Sequence, residues 1–216
     1  MKILKSFSKL TLFLLITASM ALSQSKGDRF FVNADFASFR YDKDNAYLEF
    51  YYSFNQNQFK FQKSGDSFNA SAIISLEVRS MINDSVVISN RWKNPIKTND
   101  TSANVLSRQL TGVQGFKIPN GKYRALVACY DENNISSRDS LSVEFECGFP
   151  DQKLALSDVQ LSSQIKQVEK DEKNIFYKNT LEVIPHPNAL FGIGLPIMYL
   201  YLEAYNLKKI TGDYYK

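Results

Sequence analysis

Between Ala46 and Phe54 the chain reads AYLEFYYSF, and every second residue from Leu48 onward is apolar or aromatic. A period of two is that of a β-strand, whose successive side chains point to opposite faces. Leu48, Phe50, Tyr52 and Phe54 form one face and should meet a core. Tyr47, Glu49, Tyr51 and Ser53 form the other, which mixes rings with polar groups. The pattern returns in SLSVEFEC, where Leu141, Val143, Phe145 and Cys147 alternate with Ser142, Glu144 and Glu146. No segment carries a sustained helical stripe. About seven strands over roughly 120 residues define an all-β chain, read as an antiparallel immunoglobulin-like β-sandwich.

Turn residues punctuate these strands. DKDN (Asp42–Asn45) and INDS (Ile82–Ser85) should close two hairpins, and Gly65-Asp66 a third turn. Lys93 to Gly115 reads as a polar connector followed by a strand around Val105–Phe116. Pro119-Asn120-Gly121 then opens the strand Lys122–Tyr130. Both faces of that strand are largely apolar, so it should be central. DENNISSRD (Asp131–Asp139) reads as the hairpin loop before Leu141–Cys147. The expected core is Leu48, Phe50, Tyr52, Phe54, Leu76, Val78, Val127, Leu141, Val143 and Phe145. Tyr123, at the start of its strand, is expected to bond nearby backbone through its hydroxyl.

The first residues do not belong to this pattern. Lys2, Lys5 and Lys9 precede and flank an apolar run from Leu10 to Ile16, and Ala21 and Ser23 stand before Gln24. These are the parts of a secretory signal peptide, residues 1–23. The run is shorter than the roughly 20 residues that span a bilayer, so no stable transmembrane anchor is expected after cleavage. Removing the three lysines leaves 23 basic and 22 acidic side chains. A charge so close to neutral supplies no footprint for nucleic acid.

Export permits a disulfide, yet the spacing opposes one between Cys129 and Cys147. In a simple hairpin the two would lie roughly 20 Å apart along the strands, against the alpha-carbon limit of about 7 Å. Two buried free thiols are expected. His186, the single histidine, is held between Pro185 and Pro187 and reads as a turn residue. Asp42/Asp44, Asp131/Glu132 and Glu169/Asp171/Glu172 read as solvated turn acids, since none follows the ligand order of a calcium loop. We assign no catalytic, cofactor-binding or metal-ligating residue and expect no cofactor.

Gly148-Phe149-Pro150-Asp151 interrupts the alternation. It divides a β-sandwich domain, residues 24–148, from a linker, residues 149–156, and a small second β segment, residues 157–216. That segment offers few strands: LALSDVQLSSQI as strand or extended linker, Leu181–Ile184, and LPIMYLYLEAYNL (Leu195–Leu207). Alone it would be marginal and would leave Met198, Leu200, Leu202 or the neighbouring tyrosines exposed.

VNADFASFRYDKDNAYLEFYYSF, IPNGKYRALVACYDENN, LALSDVQLSSQI, LEVIPHPNALFG and MYLYLEAYNL, in this order, resemble the N-terminal β region of the GWxTD domain-containing proteins. The likeness spans nearly all of the chain after the leader. It implies an exported protein with two β-sandwich domains ahead of a C-terminal domain bearing Gly-Trp-x-Thr-Asp. That motif is absent here and Trp92 is the one tryptophan, so the second β domain is expected to be incomplete and no functional residue transfers. The expected function is that of an exported, non-enzymatic structural or protein-interaction module, periplasmic or extracellular. Its partner would be another protein or the missing C-terminal domain. The alternative is a carbohydrate-binding module that uses exposed aromatics on a glycan.

Overall fold

The computed structural model of the chain describes residues 30–208. The leader assigned to residues 1–23 lies outside the described residues. Within them the fold is all-β, built of several antiparallel sheets.

The first sheet holds β1 (Asn33–Arg40), β2 (Asn45–Asn55) and β6 (Gln109–Pro119), with β2 in the middle. The second holds β3 (Gln62–Ser64), β4 (Ser67–Ser80), β5 (Val86–Thr98), β7 (Gly121–Asp131) and β8 (Asn134–Cys147). β5 pairs with one side of β4 along Phe68–Arg79. The other side meets β3 at Ser67–Asn69 and β7 at Ala72–Ser80. β7 is thus central, between β4 and β8, but only its Tyr123, Ala125, Val127 and Cys129 face is buried; Leu126 on the other face is exposed, because no layer covers that side of the sheet there.

These two sheets face each other across the main core. Leu48, Phe50, Tyr52 and Phe54 from β2 meet Ile74, Leu76 and Val78 from β4 and Ala125 and Val127 from β7, all buried. Phe50 touches Phe36 at 5.1 Å, Tyr52 at 5.6 Å and Trp92 at 5.9 Å between ring centroids. Leu141, Val143 and Phe145 alternate as expected but are only half-buried, because β8 is the outermost strand of its sheet. The Tyr123 hydroxyl donates to the Pro119 carbonyl at 2.7 Å, closing the turn before β7. Tyr123→Phe keeps the ring and removes the bond. Denaturant unfolding should show a loss of about 1 kcal/mol; an unchanged midpoint would reduce the residue to packing.

Three local expectations need correction. The loop Asp131–Asp139 contracts to a turn at Glu132–Asn133, and β8 starts at Asn134. Its first half holds mostly polar side chains, with Asp139 accepting the Val32 amide, so no apolar alternation marks it. Asp131 is not a solvated turn acid. It is fully buried and accepts the amides of Lys60 at 2.7 Å and Asn133 at 3.0 Å. The strand placed around Val105–Phe116 begins later, at Gln109, after the single-turn helix α1 (Ala103–Leu106). Its predecessor β5 runs on through Pro95 to Thr98. A strand edge tolerates proline's missing N–H.

Cys129 and Cys147 are buried free thiols. Cys129 lies opposite Asp139, far along β8 from Cys147, which faces Gly121. Burial pushes both thiols up to about 12. Asp42 binds its own turn, accepting from the Asn45 side chain and from the Asp44 and Asn45 amides, and is held down to about 2.

After Gly148 a third sheet forms in the order β11 (Tyr177–Lys178), β12 (Leu181–Pro185), β10 (Gln160–Gln167), β13 (Tyr199–Tyr201). β9 (Ala155–Leu156) pairs with β14 (Ala204–Tyr205) beside it. The expected long strand in LPIMYLYLEAYNL is instead two short ones. Pro196 lacks a ladder donor, and the chain leaves the sheet at Leu202 and Glu203, where the Glu203 amide donates to Ser157 Oγ at 2.8 Å.

The third sheet covers the outer face of the first. Ala37, Phe39 and Tyr51 meet Val183 and Tyr201 in a second core, flanked by Val113, Ile165 and Leu181. β2 is therefore covered on both sides, which explains why rings occupy both of its faces.

Candidate functional site

The seam between the first and third sheets holds the most concentrated chemistry of the molecule. Glu49 projects from β2 on the face shared with Tyr51, and both are buried. Opposite them Lys178 ends β11. Its ammonium donates to Glu49 Oε2 at 2.5 Å and to Gln160 Oε1 at 2.8 Å. The Tyr51 hydroxyl donates to the same Glu49 oxygen at 2.5 Å. Three rings surround the ammonium: Phe39 at 4.0 Å, Tyr201 at 4.7 Å and Tyr51 at 5.9 Å from their centroids. Each presents the negative π-face that attracts a cation.

Desolvation is the largest influence on Lys178 and lowers its pKa, while Glu49 works against that shift. Burial and the Glu49 charge push Tyr51 well above the usual phenol range. A neutral tyrosine donating to a carboxylate that is itself paired with an ammonium makes a closed polar network.

The turn after Lys178 carries strain. Asn179 and Thr180 both have positive φ, 47° and 70°. A two-residue hairpin demands this, and glycine or asparagine usually supplies it. A β-branched threonine there is unusual. Asn179 compensates: its side-chain amide donates to the Tyr201 hydroxyl at 2.7 Å and to Glu203 at 2.9 Å. Glu203 also accepts from the Tyr201 and Tyr205 hydroxyls.

Two further clamps join the late segment to β1. Asp158 takes the Ser38 amide at 2.8 Å and its hydroxyl at 2.6 Å. The Arg40 amide donates to the Tyr205 hydroxyl at 2.9 Å, and its guanidinium donates to Asn206 at 2.8 Å. The Ser-Asp and Tyr-Asn pairs of the sequence are thus the contacts that hold the late segment against β1.

Beside this network opens a cleft of about 830 Å³. Tyr41, Tyr47, Glu49, Gly115, Phe176 and Tyr177 are among its lining residues. The hydroxyl end of the Tyr47 ring occupies the space beside Gly115 that a side chain would fill. A Cβ on that glycine would stand 1.9 Å from the Tyr47 hydroxyl, so no other residue leaves the ring this position.

No site residues were read from the sequence, and the ones grouped here were missed. One signal was present: Glu49 is a charge on a strand face otherwise made of Tyr47, Tyr51 and Ser53. Nothing in the sequence marked Lys178 as its partner, because the two are far apart in the chain. His186 is a turn residue as read, its Nε2 2.9 Å from the Leu190 carbonyl oxygen and its ring against Phe191. Among the described residues no group of three His, Cys, Asp or Glu could hold a metal ion. No helix among them is long and apolar enough to cross a membrane.

No protein-family model matches the chain, and no curated protein matches it.

Proposed function

We propose that the chain is an exported, non-enzymatic interaction module, working in the periplasm or outside the cell. The observation that carries this reading is the state of the seam. Lys178, Glu49, Tyr51 and Gln160 are spent on one another. A catalytic base or nucleophile needs a partner held ready for substrate, whereas this network fastens one sheet to another. It supports a scaffold whose first two sheets form an immunoglobulin-like sandwich, extended by the late β segment. The ordered motifs that resemble the GWxTD proteins support the same placement among exported β proteins.

The contact surface in this reading is the aliphatic ledge of the late segment. Leu190, Ile193, Ile197, Met198, Leu200 and Leu202 are all exposed, Ile193 completely. Clustered exposed aliphatics mark interaction sites. β13 pairs on one side only, so its open edge lies next to Leu200. By contrast β5, another edge, carries Lys93, Pro95 and Lys97, which discourage strand addition.

Photo-crosslinking at Ile193 and Leu200 in the producing cell tests the reading, with Leu126 on the far sheet as control. A discrete adduct from the ledge positions and none from Leu126 is the expected result. N-terminal sequencing of the recovered protein should begin near Gln24. Equal labelling at all three positions, or a retained Met1, would contradict it.

A further inference from the structure

We infer that the cleft between the first sheet and the β11–β12 hairpin binds a neutral saccharide, with Tyr47 as its stacking platform. The inference does not depend on the ledge, which lies on other residues.

Size and shape permit it. About 830 Å³ lies within the ~300–1,000 Å³ typical of ligand pockets. The platform is built in. Tyr47 is exposed, at 38%, and its position depends on the missing side chain of Gly115. An aromatic face is electron-rich, and the C–H face of a sugar ring carries the opposite partial charge, so the two stack. Tyr41, Phe176 and Tyr177 add rings around it.

Charge narrows the ligand class. The charged groups lining the cleft are Arg40, Lys178, Glu49 and Glu203. Each is already engaged: Lys178 with Glu49, Arg40 with Asn206 and the Pro150 carbonyl, Glu203 with Asn179, Tyr201 and Tyr205. Lys117, stacked over Tyr41, is paired with Asp42 at 3.4 Å. Arg40 and Glu203 bond neutral groups rather than an opposite charge, and Arg40 Nε is buried without a hydrogen-bond partner, but the two cations and two anions of the lining cancel, so the cleft carries no net charge that would select a phosphate, a carboxylate or an ammonium. What stays available is hydroxyl chemistry. Among the described residues the Tyr41, Tyr47 and Tyr177 hydroxyls make no hydrogen bond, and Glu49 Oε1 takes none. Rings, uncommitted hydroxyls and balanced charge together recognise a neutral polyol with apolar faces.

The test is isothermal titration of the purified chain with cello-, xylo-, manno-, malto- and chitohexaose. At least one should bind with saturable heat. Tyr47→Ala should weaken it about tenfold or more, equal to 1.4 kcal/mol, while Tyr47→Phe keeps most of the affinity. Gly115→Ala, which displaces the ring, should behave like Tyr47→Ala, and Leu126→Ala should bind as the parent does. Matching circular dichroism among the variants separates a lost platform from a lost fold. Absence of binding across all five sugars, or binding unchanged in both Tyr47→Ala and Gly115→Ala, overturns the inference.

Discussion

Replacing Lys178 with methionine should cost about 3–5 kcal/mol of stability, the price of leaving a buried carboxylate without its cation. The Lys178 and Glu49 side chains are only 15% and 10% exposed, so neither can turn to water. Methionine retains the bulk among Phe39, Tyr51 and Tyr201 but offers Glu49 no charge and Gln160 no donor. Pairing it with Glu49→Gln should recover at least half of the loss. A neutral amide still accepts from Tyr51, and buried pairs are often replaced by neutral groups at little cost. Two readouts identify the cause. The single variant should unfold at lower denaturant, and its pH profile should change slope. Because burial lowers the Lys178 pKa, the unfolded chain holds that proton through an alkaline window in which the folded chain has lost it. The parent therefore gains stability from this group as pH rises through the window, and Lys178→Met lacks that contribution.

Phe50→Ala should cost a similar amount, about 3–5 kcal/mol, by opening a cavity in the main core. Phe50 is fully buried and touches Phe36, Tyr52 and Trp92, which sit on three different strands or faces of the packing and cannot all close in. Phe145→Ala should cost less, about 1–2 kcal/mol, in proportion to the smaller area it removes from water. Phe145 stacks on Phe36 and tilts against Tyr123, but one side of it meets solvent. The sequence pattern alone ranks these two residues equally, and paired denaturant melts separate them.

That difference shows where alternation stops being informative. A period of two assigns a face, and it assigned the face correctly for β2, β4, β7 and β8. It does not say whether a strand is central or outermost, so it cannot set how deeply Leu141 or Phe145 is buried. Nor does it say how many sheets stack. Tyr47, Glu49, Tyr51 and Ser53 looked like either an exposed row or a second covered face. Tyr51 is buried against the third sheet, Ser53 is buried with hydrogen bonds from Asn33 and Gln109, and Tyr47 stays open at the cleft. The first half of β8 was unreadable because Arg138 and Asp139 pair through backbone without apolar side chains and the register shifts across Ser136 and Ser137. The seam was unreadable for a different reason. Its pair joins residues separated by more than half the chain, and only the docking of β11 onto β2 brings them together.

The first sheet is a middle layer, covered on both faces and fastened through Lys178 and Glu49. Residue-resolved amide hydrogen exchange on the purified chain tests this most directly. Slow exchange should extend from β2 and β7 into β10 and β12, and Lys178→Met should speed exchange of β10, β12 and the outer-face neighbour Tyr51 while leaving β4 and β7 slow. Fast exchange throughout residues 157–205 of the parent chain, with β2 protected to the same degree in parent and variant, would contradict it.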